Sequence, residues 1–233
     1  MVIRYQHQCL HFLLQSANLR SSACVYRPVD CGKTFANQRI GISEFVGRVR
    51  HADGLRGEMN SLNKENTRLG FIGIGNMGSR IARRLLDDGY RLMAYNRSRE
   101  AAEGLIKYGA TVADSISTLA SEVDVILSSL TNDEAVKSVY TDPQGVFAYV
   151  RRGSAIIDMS TVLPATSREL YDLSREAGVK CLDSPISGST PLAEKGTLTL
   201  FCGGDEELFQ AAQPIFSVGS PRPEGRSQSP SAA

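Results

Sequence analysis

One ten-residue stretch narrows the fold of this chain more than any other: Leu69-Gly70-Phe71-Ile72-Gly73-Ile74-Gly75-Asn76-Met77-Gly78. An apolar run of strand character leads directly into G-x-G-x-x-G. An apolar helical pattern follows at once, through Ile81, Ala82, Leu85 and Leu86. In a strand-turn-helix the three glycines have different tasks. Gly73 permits the tight turn, Gly75 leaves room for a pyrophosphate against the backbone, and Gly78 lets helix pack on strand. The N–H groups at the start of the helix, with the aligned peptide dipoles, then hold the anion. The motif alone is weak evidence. The readable strand before it and helix after it supply the context it requires.

From Arg68 onward the pattern alternates. It predicts a strand over 68–74, a helix from Asn76 to about Asp88 closed by Gly89, and a strand over 91–95. Ser98 caps a helix reaching Tyr108 and stopped by Gly109; Thr111-Val112 is a short strand; Ser115 caps the next helix. A strand over Val123–Leu130 and a helix over Asp133–Tyr140 follow, then a turn at Asp142-Pro143-Gln144-Gly145. Beyond these come a buried strand Ala155–Asp158, a helix Pro164–Ala177 closed by Gly178, strands Lys180–Asp183 and Thr197–Cys202, and a helix Asp205–Phe216. Strands alternating with helices predict an α/β fold with a doubly wound, mostly parallel sheet.

Ligands of such sheets lie outside the carboxyl ends of the strands, so the residues just after each strand carry the information. After the second strand stands Tyr95-Asn96-Arg97-Ser98. A carboxylate there would bind the ribose 2′-hydroxyl of NAD and repel the extra phosphate of NADP. Neutral Asn96 and cationic Arg97 instead suit a 2′-phosphate, which favours NADP over NAD. Arg99 reads better as a solvated surface charge. Ser129-Leu130-Thr131 and Asp158-Met159-Ser160-Thr161 follow two later strands and would face the cofactor. Thr131 and Thr161 serve equally well as helix N-caps. Ser187-Gly188-Ser189 offers hydroxyls and backbone N–H groups together, which suits a small carboxylate; its plainer reading is a Pro/Gly/Ser turn.

A net charge of +1 gives no reason to expect nucleic acid or a membrane surface as partner. No apolar run approaches the ~20 residues that a membrane helix needs. Five cysteines without a C-x-x-C point to free thiols in a reducing compartment. His7, Cys9 and His11 alternate, yet no second pair stands at metal-site spacing, so no metal is expected. Residues 1–66 are read as a leader without a fold of its own. Residues 1–29 carry arginines and serines and no acid, like an organellar transit peptide; alternatively Met59 is the true start. The expected compartment is the cytoplasm, or a mitochondrion or plastid if the leader is a transit peptide.

Taken together, Gly73-Ile74-Gly75-Asn76-Met77-Gly78, Asp158-Met159-Ser160-Thr161, Asp183-Ser184-Pro185-Ile186-Ser187-Gly188-Ser189 and Gly196-Thr197-Leu198 running to Gly203-Gly204-Asp205 resemble the β-hydroxyacid dehydrogenases. The resemblance covers about 68–217. It implies a Rossmann-like cofactor domain over 67–217 and hydride transfer between nicotinamide and a short hydroxyacid or semialdehyde, with homo-oligomerisation left open. It places Gly73, Ile74, Gly75, Asn76, Met77, Gly78, Asn96, Arg97, Ser98, Leu130, Thr131 and Thr161 at the cofactor, and Ser187, Gly188 and Ser189 at the substrate carboxylate. Leu130-Thr131 departs from the common Leu-Pro at that point. The family's acid–base lysine lies in a G-x-x-x-K segment opening a helical second domain. Here residues 218–233 are rich in Pro, Ser, Gly and Arg, read as a disordered tail, and contain no such segment. No catalytic residue is therefore assigned. Residues 67–233 contain no histidine, and Lys195 is the one lysine near the Ser187–Ser189 loop. The change of composition after Ser217 points to a truncated or frameshifted reading frame, or else to an unusual but real tail, with little turnover expected of the chain as written. Two further readings stay open: a non-catalytic NADP-binding module, and a fragment of an enzyme resembling imine reductases.

Overall fold

The computed structural model describes residues 59–218 and the backbone of Val25–Tyr26. The expectations of disorder for 1–58 and 219–233, and the His7-Cys9-His11 alternation, otherwise lie outside the described residues. The elements run β1 (Val25–Tyr26), β2 (Arg68–Ile72), α1 (Gly78–Asp87), β3 (Arg91–Tyr95), α2 (Arg99–Glu103), a 3-10 turn (Ile106–Tyr108), β4 (Thr111–Val112), α3 (Ile116–Glu122) and β5 (Val125–Ser128). They continue through α4 (Asp133–Thr141), α5 (Val146–Tyr149), β6 (Ala155–Asp158), α6 (Pro164–Ala177), β7 (Lys180–Asp183) and β8 (Ile186–Ser187) to α7 (Thr190–Lys195), β9 (Thr199–Gly204), α8 (Glu206–Ala211) and α9 (Gln213–Ser217).

The sheet runs in the order β1-β9-β7-β6-β5-β2-β3-β4, with β8 paired to β9. Pairing is parallel from β4 through β7, whereas β9 lies antiparallel to both β7 and β8. The sheet is thus mostly parallel, as the alternation predicts, with its sense reversed at one side.

Period-2 alternation along the central strands sorts the core into two layers. Leu69, Phe71, Val125, Leu127, Ala155, Ile157 and Leu182 face α1, α8 and α9. Ile72, Ile126, Ile156 and Cys181 face α3, α4, α5 and α6. Gly70 lies against α3: a Cβ there would fall 2.5 Å from Leu119 Cδ2. Helices on both faces of a parallel sheet leave its carboxyl edge as the place where the loops gather.

Residues before 67 also take part in the packing among the described residues. Met59 and Leu62 pack on the first layer. The Leu62 N–H donates to the Ala211 carbonyl, and the buried Tyr90 hydroxyl donates to the Leu62 carbonyl. Within the expected leader, Val25–Tyr26 also pairs in parallel with Phe201-Cys202 of β9. The single helix expected over Asp205–Phe216 is two helices meeting at Ala212, because Pro214 supplies no N–H to continue the first. No helix among the described residues is long and apolar enough to cross a membrane.

Candidate functional site

The three glycines of the first turn differ in what surrounds them. Gly73 has φ +94°, and a Cβ there would strike the Ser129 carbonyl oxygen. A Cβ on Gly78 would strike the Gly73 carbonyl oxygen, so helix α1 sits directly on the turn. At Gly75 a Cβ would meet nothing within 4 Å, because the space faces outward. The N–H groups of Gly75, Asn76 and Met77 donate no hydrogen bond among the described residues. Open space beside unpaired N–H groups at the start of a ten-residue helix fits a pyrophosphate.

Asn96 braces this loop from β3. Its Oδ1 accepts the Ile74 N–H at 3.0 Å and its Nδ2 donates to the Ser98 carbonyl at 3.0 Å. Both ends of the amide are therefore engaged within the protein. Arg97 beside it is exposed, and its guanidinium makes no hydrogen bond or ion pair among the described residues. Arg99 is a surface charge paired with Glu103 and Asp114, as expected. Ser98 precedes α2 with its hydroxyl unused as a cap.

Thr131 and Thr161 are both exposed, and neither is an N-cap. Asn132 caps α4 by accepting the Ala135 N–H, and Leu163 with Pro164 opens α6. Asp133 joins those helix starts: its Oδ1 accepts the Leu163 N–H at 2.9 Å and the Thr166 hydroxyl at 2.6 Å. Leu130 is half-buried, and its N–H donates to Ser160 Oγ at 2.9 Å.

Beneath these loops a row of polar residues crosses the sheet. Ser128, Asp158 and Asp183 stand in register on β5, β6 and β7. Asp158 is 2 % exposed, and its Oδ1 accepts from the hydroxyls of Ser128 and Ser160. Burial pushes its carboxyl upward, and those hydrogen bonds oppose the shift. Asp183 is half-buried. Burial first, and then the Asp158 carboxylate, push it from the ordinary 3.8 to about 7, against a hydrogen bond from Ser167. Asp158 and Ser160, expected as part of a string facing the cofactor, are instead buried beneath the loops, and Asp183 had no individual role in the sequence reading. Acidic residues ending consecutive buried strands were the available signal.

At the next loop Ser187 ends β8, paired with Thr199, and Ser189 precedes α7. Ser187, Gly188 and Ser189 are exposed, and neither serine hydroxyl is bonded among the described residues. Gly188 holds φ +146° with Leu198 and Leu192 crowding its α-carbon, so this position resists a side chain. Lys195 is carried away from the loop to the far end of α7. There it shares a groove with Asp87 and Asp88 at the end of α1. It is a solvated charge rather than a substitute acid. No group of three or more potential metal-ligating side chains occurs among the described residues.

The two loop systems are bridged from α1. Arg80 Nη1 donates to the Asn76 carbonyl at 2.6 Å, while its Nε meets Glu194 Oε1 of α7 at 2.7 Å. Arg84 Nη1 adds a bond to the Glu194 carbonyl at 3.0 Å.

The family model for the NAD binding domain of 6-phosphogluconate dehydrogenase matches residues 68–221. A probable mitochondrial 3-hydroxyisobutyrate dehydrogenase of Dictyostelium discoideum is 40% identical over 145 residues, covering 62% of this chain and 45% of that protein. An NAD-dependent L-serine dehydrogenase of Pseudomonas aeruginosa is 36% identical over 150 residues, covering 64% and 50%. The solved structure of Mycobacterium tuberculosis 3-hydroxyisobutyrate dehydrogenase with L-serine superposes with a TM-score of 0.62 at 32% identity, covering 66% of this chain and 52% of that one. The chain spans about half the length of the curated relatives it matches.

Proposed function

We propose, since the chain belongs to the family of the 6-phosphogluconate dehydrogenase NAD-binding domain, that it is the cofactor half of an NADP-dependent dehydrogenase acting on a short hydroxyacid or semialdehyde. The observation that carries the NADP preference is the exposed, unpaired Arg97 guanidinium beside neutral Asn96, where NAD binders place a carboxylate. One of the relatives is named NAD-dependent, so membership alone does not choose between the cofactors, and the argument rests on these two residues.

The chain's own residues divide the work. The N–H groups of Gly75, Asn76 and Met77 receive the pyrophosphate, and Arg97 with the Ser98 hydroxyl receives the 2′-phosphate. Leu130, Thr131 and Thr161 bound the nicotinamide end. The Ser187 and Ser189 hydroxyls, with the backbone at Gly188, orient a substrate carboxylate. The cofactor, when bound, supplies or accepts the hydride. The proton at the substrate oxygen is left to a group outside the described residues, since Lys195 faces away from the loop.

Calorimetric titration tests the reading. NADPH should bind the 233-residue chain more tightly than NADH, and Gly75→Val should abolish binding of both without lowering the melting temperature, because its side chain would enter ligand space. Unchanged affinity in that variant would overturn the phosphate site. For the compartment we favour the cytoplasm, or an organelle if residues 1–29 act as a transit peptide. A fluorescent fusion with and without residues 1–58 decides between them.

A further inference from the structure

We infer that Asp158 and Ser160 are positioning residues for the nicotinamide end of the cofactor, fixing the 129–131 and 159–161 loops to one another; this rests on the dinucleotide reading above. Asp158 ends β6 beneath both loops. Its Oδ1 accepts the Ser128 hydroxyl at 2.7 Å, the Ser160 hydroxyl at 2.6 Å and the Ser160 N–H at 3.2 Å. Each serine has one hydroxyl proton, and the carboxylate takes both. The remaining contacts of those oxygens must then be accepted ones. Ser128 Oγ therefore receives the Tyr140 phenol at 2.7 Å, and Ser160 Oγ receives the Leu130 N–H at 2.9 Å.

The proton directions converge on one atom: from Tyr140 through Ser128 to Asp158 on one side, from Leu130 through Ser160 to Asp158 on the other. Only an acceptor at 158 sustains that order. Asp158 and Ser160 are each 2 % exposed and Ser128 is fully buried, so water does not readily replace a lost partner. The members of the two loops that point outward, Thr131 and Thr161, have no hydrogen bond among the described residues. Their placement follows from this buried carboxylate below and from the Asp133 tie between the helix starts above. The same clamp reaches the Gly-rich turn, because the Ser129 carbonyl oxygen closes the space that a Cβ on Gly73 would occupy.

The test separates the two ends of the cofactor. Wild type, Ser160→Ala and Asp158→Asn are titrated with NADP⁺ and with 2′,5′-ADP, which lacks the nicotinamide. Ser160→Ala removes both bonds of that hydroxyl, the one given to Asp158 and the one taken from Leu130; it should weaken NADP⁺ at least about tenfold and leave 2′,5′-ADP unchanged. Asp158→Asn, which keeps an acceptor at the same atom, should stay within about threefold for both ligands. Amide hydrogen exchange at Leu130 should accelerate in Ser160→Ala and not in Asp158→Asn. Equal loss for both ligands, or no loss for either, would overturn the inference. So would a wild type that binds 2′,5′-ADP as tightly as NADP⁺. A wild type that binds neither ligand would overturn the dinucleotide reading itself. Should Ser160→Ala fail to fold, Asp158→Asn beside Asp158→Leu supplies the same contrast.

Discussion

Two stretches of the same sheet edge are built by different means. At the ends of β2 and β3 the site is made of backbone: three glycines, unpaired N–H groups, and one amide brace from Asn96. At the ends of β5, β6 and β7 it is made of buried side chains: Ser128, Asp158, Ser160 and Asp183. The first kind is sensitive to volume and indifferent to pH. The second tolerates some change of shape and answers to the proton.

The sharpest way to break that contrast is within the Gly-rich turn. Gly78→Val places branches against the Gly73 carbonyl oxygen, which belongs to rigid backbone. We expect a loss of at least about 3 kcal/mol in unfolding free energy, or no cooperative transition. Gly75→Val should leave the urea midpoint where it is. Similar midpoints for the two variants would show that the turn is not volume-limited.

Asp183 gives the next effect, on the side-chain half. Its carboxyl ionises near 3.8 when unfolded and near 7 when folded. Between those values the folded state holds a proton that the unfolded state has released. Stability therefore falls as pH rises from about 4 to 7 and levels above it. Asp183→Asn should remove about 2–3 kcal/mol of the decline measured between pH 5 and pH 8 by urea unfolding. An unchanged slope would place the titration elsewhere.

Arg97→Ala sharpens the comparison from the ligand's side. Loss of about 1.5–3 kcal/mol of charge-assisted bonding predicts NADPH weakened roughly 10- to 150-fold and NADH hardly changed. Equal losses would remove Arg97 from the 2′-phosphate. The smallest effect belongs to the Arg80–Glu194 bridge from α1 to α7, whose side chains are 32% and 60% exposed. A double-mutant cycle on unfolding should give about 0.2–1 kcal/mol of coupling. A value well above that would mean α1 and α7 are held together more firmly than a solvated ion pair allows.

What could be read in the sequence follows the same division. Local signals placed β3, β4, β6 and β7 at their observed limits, and the Pro164-to-Gly178 helix with its left-handed Gly178 end. Ser115 does cap α3, accepting the Thr118 N–H at 3.0 Å. The tight turn at Gly73 and the close approach of Gly78 to it were legible because both lie within six residues, whereas the Ser129 carbonyl that also closes on Gly73 was not. The short helices Val146–Tyr149 and Thr190–Lys195 were not, since one or two turns are too short for a helical period to show, even where Leu192 to Lys195 are good helix formers. Nor was the antiparallel β9, whose pairing is a tertiary fact. The clamp was hidden for a similar reason. Asp158-Met159-Ser160-Thr161 stands out as a string, but its partners Ser128 and Leu130 lie thirty positions earlier.

Asn96 carries a consequence for how cofactor choice can change. If the chain prefers NADP as proposed, the residue that would have to become acidic to favour NAD is also the one that shapes the Gly-rich loop through Ile74 and the next turn through Ser98. An aspartate there keeps the acceptor, loses the donor and sets a negative charge beside Arg97. On that proposal, cofactor preference is not a one-letter switch at Asn96. A path from one nicotinamide to the other has to repair the Ser98 turn along the way, and the order in which such substitutions accumulate is constrained by a single side-chain amide.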